Sequence, residues 1–452
     1  MSNGRTGRTK ACAKPAPPER WRCRKARSGA EVKTYPNLRH ARLFCACLSL
    51  GSVTRAAEMI GVSQPAASQA LARLEDIFGA ALFDMTDGRP TATEAGRIVA
   101  ARTQRALDLI RAGCARLRHP SVGNADAGAE NLLSTPQLRA ISAFAEGGSF
   151  SSAARVLQQS QPAVHKMARS IEASLQQSLF EGAGRSIHLS NTGMAVARWA
   201  RLALNEFESA SADVRELRGS FEGEVLIGAL PFSRTSLVPD AITQIAARHP
   251  KARFSIAEGP YDDMLHDLEM GRLDILVGAM RRDFASASLV QNELFTYRLS
   301  VLARAGHPLA GKRNLTLDDL ANYPWIAARR ETPSRALFQK LAASFPKDRP
   351  IVCSVETGSL VAARGILMNT DHLALLSDHQ AAYEIRAGIL GILDFDTGDS
   401  GHMIGITTRK HWLPTMLQSE FIKELHQAAA SGDPDLSPDT YREVPGRKAG
   451  KA

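Results

Sequence analysis

A chain of 452 residues, 44% of them hydrophobic, holds enough material for two to four domains with full-sized cores. No run approaches the roughly 18 consecutive apolar residues of a membrane span, and the basic N-terminus is not followed by an apolar stretch, so membrane and secreted classes are set aside and a cytoplasmic protein is expected. The cysteines, at positions 12, 23, 45, 47, 114 and 353, include no Cys-x-x-Cys pair; neither a metal site nor a disulfide framework is expected, and no cofactor.

The formal charge of +10 is unevenly spread. Residues 1–35 carry ten Lys/Arg against two acids and few apolar residues, which reads as a disordered basic tail able to attract phosphate nonspecifically. Residues 36–118 contribute +4 and 134–218 contribute +2, while the rest sums to −4. A basic N-terminal half thus precedes a mildly acidic C-terminal half.

Within the basic half one segment occurs twice. Residues 41–96 and 138–193 align without a gap at an offset of 97 and share fourteen identities, among them Gly51/148, Ser52/149, Ala56/153, Ala57/154, Ser63/160, Gln64/161, Pro65/162, Ala66/163, Glu75/172, Leu82/179, Phe83/180 and Gly96/193. A fixed offset over that length marks a duplicated domain. In each copy a Gly-Ser pair opens a helix with Ser as its cap, and Ala-Ala provides a small face for close packing. Gly61-Val62 turns the first copy's chain, and Ser63 and Ser160 cap a second helix with Pro in its first turn. Leu71, Leu74 and Phe78 recur at helical spacing and face inward, leaving Gln64, Ser68, Gln69 and Arg73 outward. Two short helices joined by a tight turn, with polar groups on the second, form a helix-turn-helix whose second helix suits the major groove. Gln bonds adenine in two places, and Arg reads guanine or clamps phosphate.

The ordered set Gly-Ser, Ala-Ala, Ser-Gln-Pro-Ala, the closing Glu, Leu-Phe and Thr93-Glu94-Ala95-Gly96 resembles the winged helix-turn-helix of LysR-type transcriptional regulators; the second copy ends in the looser Ser190-Asn191-Thr192-Gly193. The resemblance implies double-stranded DNA as partner. The implied DNA-facing residues are Arg55, Ser63, Gln64, Pro65, Ser68, Gln69, Arg73 and Arg89 in one copy, and Ser160, Gln161, Pro162, His165, Lys166, Arg169 and Arg185 in the other. Some positions depart from the family. Met85 and Gly182 stand where a wing Arg is usual; the second wing Arg is kept as Arg185 but replaced by Gly88 beside Arg89; the recognition-helix Ser is kept as Ser68 and replaced by His165.

A helix with one apolar seam follows each copy. Its stripe is Ile98, Thr103, Ala106, Ile110, Gly113 and Leu117 over 97–118, and Val196, Trp199, Ala203, Phe207, Ala210, Val214 and Leu217 over 194–218. The family uses such linker helices to pair antiparallel between subunits. Here either the two pair within one chain, or only the second pairs with another chain and the first copy is a tethered arm. Residues 119–133 read as a flexible connection.

From 222 strands alternate with helices, predicting an α/β domain over 222–428 and a disordered tail over 429–452. It resembles the family's two-lobed effector domain, similar to type 2 periplasmic solute-binding proteins, and "GRLDILVG" (271–278) is close to a family signature. Lobe 1 is expected at about 222–280 and 402–428, lobe 2 at about 281–401. Ligands in such sheets bind at carboxyl ends of strands, where helix N-termini present free N–H groups. That points to Ser233, Arg234 and Thr235 after the first strand, with Arg329, Thr332, Ser334, Thr357 and Ser359 from the second lobe; for any one Ser or Thr, helix capping is the plainer role. "IGALPFSRTSLVP" is also similar to the subgroup that includes regulators of galactose-binding proteins, which hints at a sugar or small organic acid. No nucleophile elbow, phosphate-binding loop or metalloprotease motif occurs. Two classes remain: an effector-controlled DNA-binding regulator, homo-oligomeric and in contact with RNA polymerase; or a solute-binding or catalytic α/β protein with a helical assembly half.

Overall fold

The computed structural model describes residues 34–86, 89–117, 128–182, 186–281, 284–330, 332–398 and 400–430. Arg185, nearly all of the two tails and residues 118–127 of the connection lie outside that set.

The first copy of the repeat comprises α1 (Leu38–Leu50), α2 (Val53–Ile60), α3 (Gln64–Phe78), the antiparallel hairpin β1 (Phe83–Thr86) and β2 (Arg89–Ala92), and the long α4 (Glu94–Arg116). After a single turn, α5 (Ala129–Leu132), the second unit repeats the order: α6 (Thr135–Gly147), α7 (Phe150–Leu157), α8 (Gln161–Leu175), β3 (Phe180–Glu181), β4 (His188–Leu189) and the long α9 (Asn191–Leu217). The α5 turn replaces part of the expected flexible connection. It is held because the Glu130 carbonyl accepts from the Arg42 guanidinium of α1.

Both copies are closed by the same two devices. The repeat's final Glu reaches past the recognition helix: Glu75 Oε1 accepts from Leu82 N at 2.7 Å, and Glu172 Oε1 from Leu179 N at 2.8 Å. Each Glu thereby fixes the entry to its hairpin. Thr93 and Ser190 then cap α4 and α9, accepting from Gly96 N at 2.9 Å and Gly193 N at 3.0 Å. The copies differ at two helix ends. Gly61 and Gly79 occupy left-handed conformations, and their equivalents Gln158 and Gln176 do so with side chains, at φ of 53° and 52°.

The helices α4 and α9 pack antiparallel within the one chain. Gly113 lies under the Trp199 ring at one end of the seam, and Arg102 meets Glu206 and Asp213 at the other. The cores are shared reciprocally. Ala210 and Val214 of α9 complete the core of the first unit, while Ile110 and Cys114 of α4 complete that of the second. The pairing within one chain is therefore the arrangement observed.

Two five-stranded sheets follow. The first has the order β6-β5-β7-β14-β8, from β5 (Glu224–Ala229), β6 (Arg253–Ala257), β7 (Ile275–Ala279), β8 (Leu289–Tyr297) and β14 (His402–Arg409). Helices α10 (Leu237–Arg248) and α16 (Met416–Ala430) cover one face, and α11 (Tyr261–Glu269) the other. The second sheet runs β11-β10-β12-β9-β13, from β9 (Leu299–Arg304), β10 (Trp325–Ala327), β11 (Cys353–Glu356), β12 (Leu373–Ser377) and β13 (Leu390–Ile392). Its helices are α12 (Leu317–Leu320), α13 (Pro333–Ala343), α14 (Leu360–Asn369) and α15 (Ala382–Arg386).

The boundary between lobes differs from the expected one near 281. β8 pairs along its length with β14 in the first sheet, so the chain crosses at Arg298, between β8 and β9. Only one residue separates the two strands. Both sheets are mixed: β14 is antiparallel to β7, and β9 to β12.

Candidate DNA-reading units and effector cleft

On α3 the predicted readers Gln64, Ser68, Gln69 and Arg73 are all exposed, as are Arg55 on α2 and Arg89 on β2. Ser63 caps α3, accepting from Ala66 N at 3.4 Å, with Pro65 in the first turn. Arg39 fixes the approach of this helix by donating to the carbonyls of Ile60 (3.1 Å) and Gly61 (2.7 Å), pinning the turn between α2 and α3. It had no motif to mark it. His40, close to Arg73 and Arg39, has its pKa lowered by burial and then by those two cations.

On α8, Ser160 caps in the same way, and Gln161, Pro162, His165 and Lys166 are exposed. The His165 ring contacts Phe150 edge-on, 4.7 Å between centroids. Arg169 is already engaged: it pairs with Glu172 at 2.8 Å and lies over the Phe180 ring.

In the effector domain the structure brings the two lobes together around Tyr297. Phe232, after β5, stacks on Tyr297 at 4.4 Å, and Ser334 from the second lobe lies beside the Tyr297 hydroxyl. Phe295 meets His379 across the same junction. Burial pushes the Tyr297 phenol up to about 12, so it stays protonated. This aromatic cluster carried no sequence signal beyond ordinary apolar residues.

Of the expected effector groups, Ser233 requires correction. It is wholly buried, and its hydroxyl is held by the carbonyls of Val277 (2.8 Å) and Leu230 (3.0 Å), so it fastens the β5 end to β7 and faces no cleft. Thr332 and Ser359 take the plainer role, capping α13 and α14. Thr357 Oγ1 accepts from Ser359 N at 3.0 Å. Arg234 pairs with Glu258 in its own lobe. Thr235 and Arg329 are exposed, and the Arg329 stem lies 3.7 Å from where a Cβ on Gly358 would stand.

The signature at 271–278 is a joint. Gly271 O accepts from Asn205 Nδ2 of α9 at 2.8 Å, and Arg272 donates to Ala145 O at 3.0 Å. Asp274, buried, accepts from Leu226 N at 2.9 Å and faces Arg409; burial raises its pKa. A second joint lies at the far end of α4. Arg102 donates to the carbonyls of Leu413 (2.6 Å) and Pro414 (3.1 Å), and Arg105 to that of His411 (2.6 Å). Lobe 1 is thus bonded to both linker helices.

Comparison with known proteins decides what these parts are. The family model "Bacterial regulatory helix-turn-helix protein, lysR family" matches residues 38–97 and again 135–194, and "LysR substrate binding domain" matches 218–430. The HTH-type transcriptional regulator GalR of Pseudomonas putida is 32% identical over 376 residues, which cover 83% of this chain and 92% of that protein. The chain belongs to the LysR family of transcriptional regulators. An alignment of that length reaches into both tandem units. PcaQ of Agrobacterium fabrum, also an HTH-type transcriptional regulator, is 29% identical, covering 61% of this chain and 89% of its own. Among solved structures, a full-length variant of OxyR from Pseudomonas aeruginosa shares the fold, with a TM-score of 0.52 at 20% identity, covering 69% of this chain and 99% of that one. This LysR-type protein is accordingly a DNA-binding transcriptional regulator under effector control, and not an enzyme. Among the described residues no helix is long and apolar enough to cross a membrane.

Proposed function

We propose that this regulator reads double-stranded DNA with both α3 and α8, and that a small polar effector, a sugar or small organic acid, controls it from between the lobes. Arg55, Ser63, Gln64, Pro65, Ser68, Gln69, Arg73 and Arg89 serve the first reading head; Ser160, Gln161, Pro162, His165, Lys166 and Arg185 serve the second. The effector is held by Arg329, Thr357 and Thr235, with Arg234 released from Glu258 to meet a carboxylate or hydroxyl. Chains associate further as homo-oligomers in the cytoplasm, and bound complexes contact RNA polymerase.

One observation carries this reading: lobe 1 is bonded to the linker-helix pair at Arg102 and at Gly271, so a change in the angle between lobes moves the platform that bears both heads. The experiment is a binding titration on promoter DNA with sugars and small acids as candidate effectors. Arg329→Ala and Arg234→Ala are expected to lose the effector response while keeping DNA affinity. An unaltered dose response in both variants rejects the cleft assignment.

A further inference from the structure

The 97-residue offset matches Arg102 of α4 with Trp199 of α9, and Gly113 with Ala210. These equivalent positions carry unlike chemistry. At one end of the seam the Trp199 ring fills the space over Gly113, so that a Cβ there would lie 2.5 Å from Cδ1. At the other end Arg102, 2% exposed, pairs with Asp213 at 2.8 Å and Glu206 at 3.2 Å. The α4 residues equivalent to Glu206 and Asp213 are Leu109 and Arg116. An α4–α4 pair in this register would bury Arg102 against Leu109 and Arg116 with no acid. An α9–α9 pair would bury Glu206 and Asp213 without a base and set Trp199 against the Cβ of Ala210. A buried charge without its partner is strongly destabilising, so the seam accepts α4 only against α9. The ten residues between Leu117 and Gly128 tether α4 to the unit that carries α9, which raises the effective concentration of the two helices and favours pairing within the chain. Thr135 Oγ1 donating to Pro36 O at 2.6 Å ties the units further.

We infer that one chain forms a complete, asymmetric DNA-reading pair, whose partner is double-stranded DNA with two non-identical half-sites. This rests on the proposal that both α3 and α8 enter DNA. A symmetric dimer imposes a palindrome because operator symmetry mirrors protein symmetry. Here the equivalent reading positions differ: Ser68 corresponds to His165, Gln69 to Lys166 and Arg73 to Ser170. Gln prefers adenine, while Lys prefers the O6 and N7 acceptors of guanine. The half-site under α8 therefore carries guanine where the half-site under α3 carries adenine.

Two experiments on the full chain test this. In the first, the native cysteines are replaced and Ile110→Cys is combined with Ala203→Cys. Oxidation is expected to give a reductant-sensitive, monomer-mass species, with neither single variant crosslinking. Dimer-mass products from a single variant, or only dimer-mass products from the double variant, overturn the pairing. In the second, wild type, Gln69→Ala and Lys166→Ala, with native cysteines, select from a random double-stranded DNA pool. Each variant is expected to lose base preference at one half-site of each pair, and the two variants at different half-sites. Loss at both half-sites of a pair from each variant rejects the asymmetric pair, whatever the crosslinks show. If wild type retains no DNA, the regulator reading and the half-site assignment fail together, and the crosslinks alone decide the seam.

Discussion

Gly96 passes directly beneath the carbonyl of Leu82: a Cβ at Gly96 would stand 2.0 Å from the Leu82 oxygen, and Gly193 repeats the relation with Leu179 at 2.1 Å. The obstacle is backbone, which cannot swing aside, so alanine at either position displaces the start of a linker helix. Gly96→Ala and Gly193→Ala are each expected to cost roughly 1–3 kcal/mol, the range of overpacked core sites. Urea unfolding measures it; a loss within about 0.5 kcal/mol contradicts the close approach.

The left-handed glutamines offer the opposite change. Gln158→Gly removes side-chain strain worth about 1–2 kcal/mol and adds unfolded-chain entropy worth somewhat less. The variant should be stabilised by about 0.5 kcal/mol or be neutral, whereas Gly61→Ala in the first copy should lose about 1 kcal/mol. Thermal melts should therefore fall for Gly61→Ala and hold or rise for Gln158→Gly, and a marked fall for Gln158→Gly would show that its side chain is needed.

Removing Arg102 leaves Glu206 and Asp213 buried with diminished compensation, and deprives the Leu413 and Pro414 carbonyls of donors. Arg102→Ala is expected to destabilise by about 3–5 kcal/mol. The triple replacement Arg102→Met, Glu206→Gln and Asp213→Asn should recover much of that loss, since the charge it leaves without an acid, Arg105, is partly exposed and still donates to the His411 carbonyl. Denaturant midpoints for the two variants test the order, and equal losses would place the cost elsewhere.

Glu216 couples stability to pH. It is buried at the end of α9, where it accepts from Leu417 N at 3.2 Å, and burial raises its pKa to about 7. The unfolded carboxyl titrates near 4.5, so between pH 4.5 and about 7 the folded state holds the extra proton. Its contribution is complete below that window, falls as pH rises through it and is flat above. Glu216→Gln should therefore gain stability over wild type at pH 8 relative to the same comparison at pH 5, by roughly 2–3 kcal/mol. A difference between variant and wild type that does not vary with pH excludes Glu216 as the titrating group.

Paired substitution on the first recognition helix tests reading itself. Gln64 and Arg73 are exposed and contribute little to the core. Gln64→Ala with Arg73→Ala should weaken specific binding by roughly 1–3 kcal/mol per lost contact at fixed salt. Unaltered affinity would show that α3 reads no DNA in the bound complex.

Local chemistry made much of this protein legible from its residues. Ser63 and Ser160 before Gln-Pro specify helix starts because a hydroxyl satisfies a free N–H, and Leu71, Leu74 and Phe78 orient α3 because a 3.6-residue period leaves one face apolar. The β5, β7 and β10 runs show as strands because their residues are buried on both faces. What the tertiary structure alone decided involves groups whose partners are distant along the chain. Arg102 looks like a solvated cation until Glu206 and Asp213, more than a hundred positions on, surround it. Ser233 has the sequence context of a ligand group, and only the approach of Val277 shows its hydroxyl to be occupied. Only one residue separates β8 from β9 in sequence, and their separation into two sheets follows from β14 returning to pair with β8. Whether the duplicated units would face each other or another chain depended on steric and charge complementarity between α4 and α9, a property of the pair that neither helix displays alone.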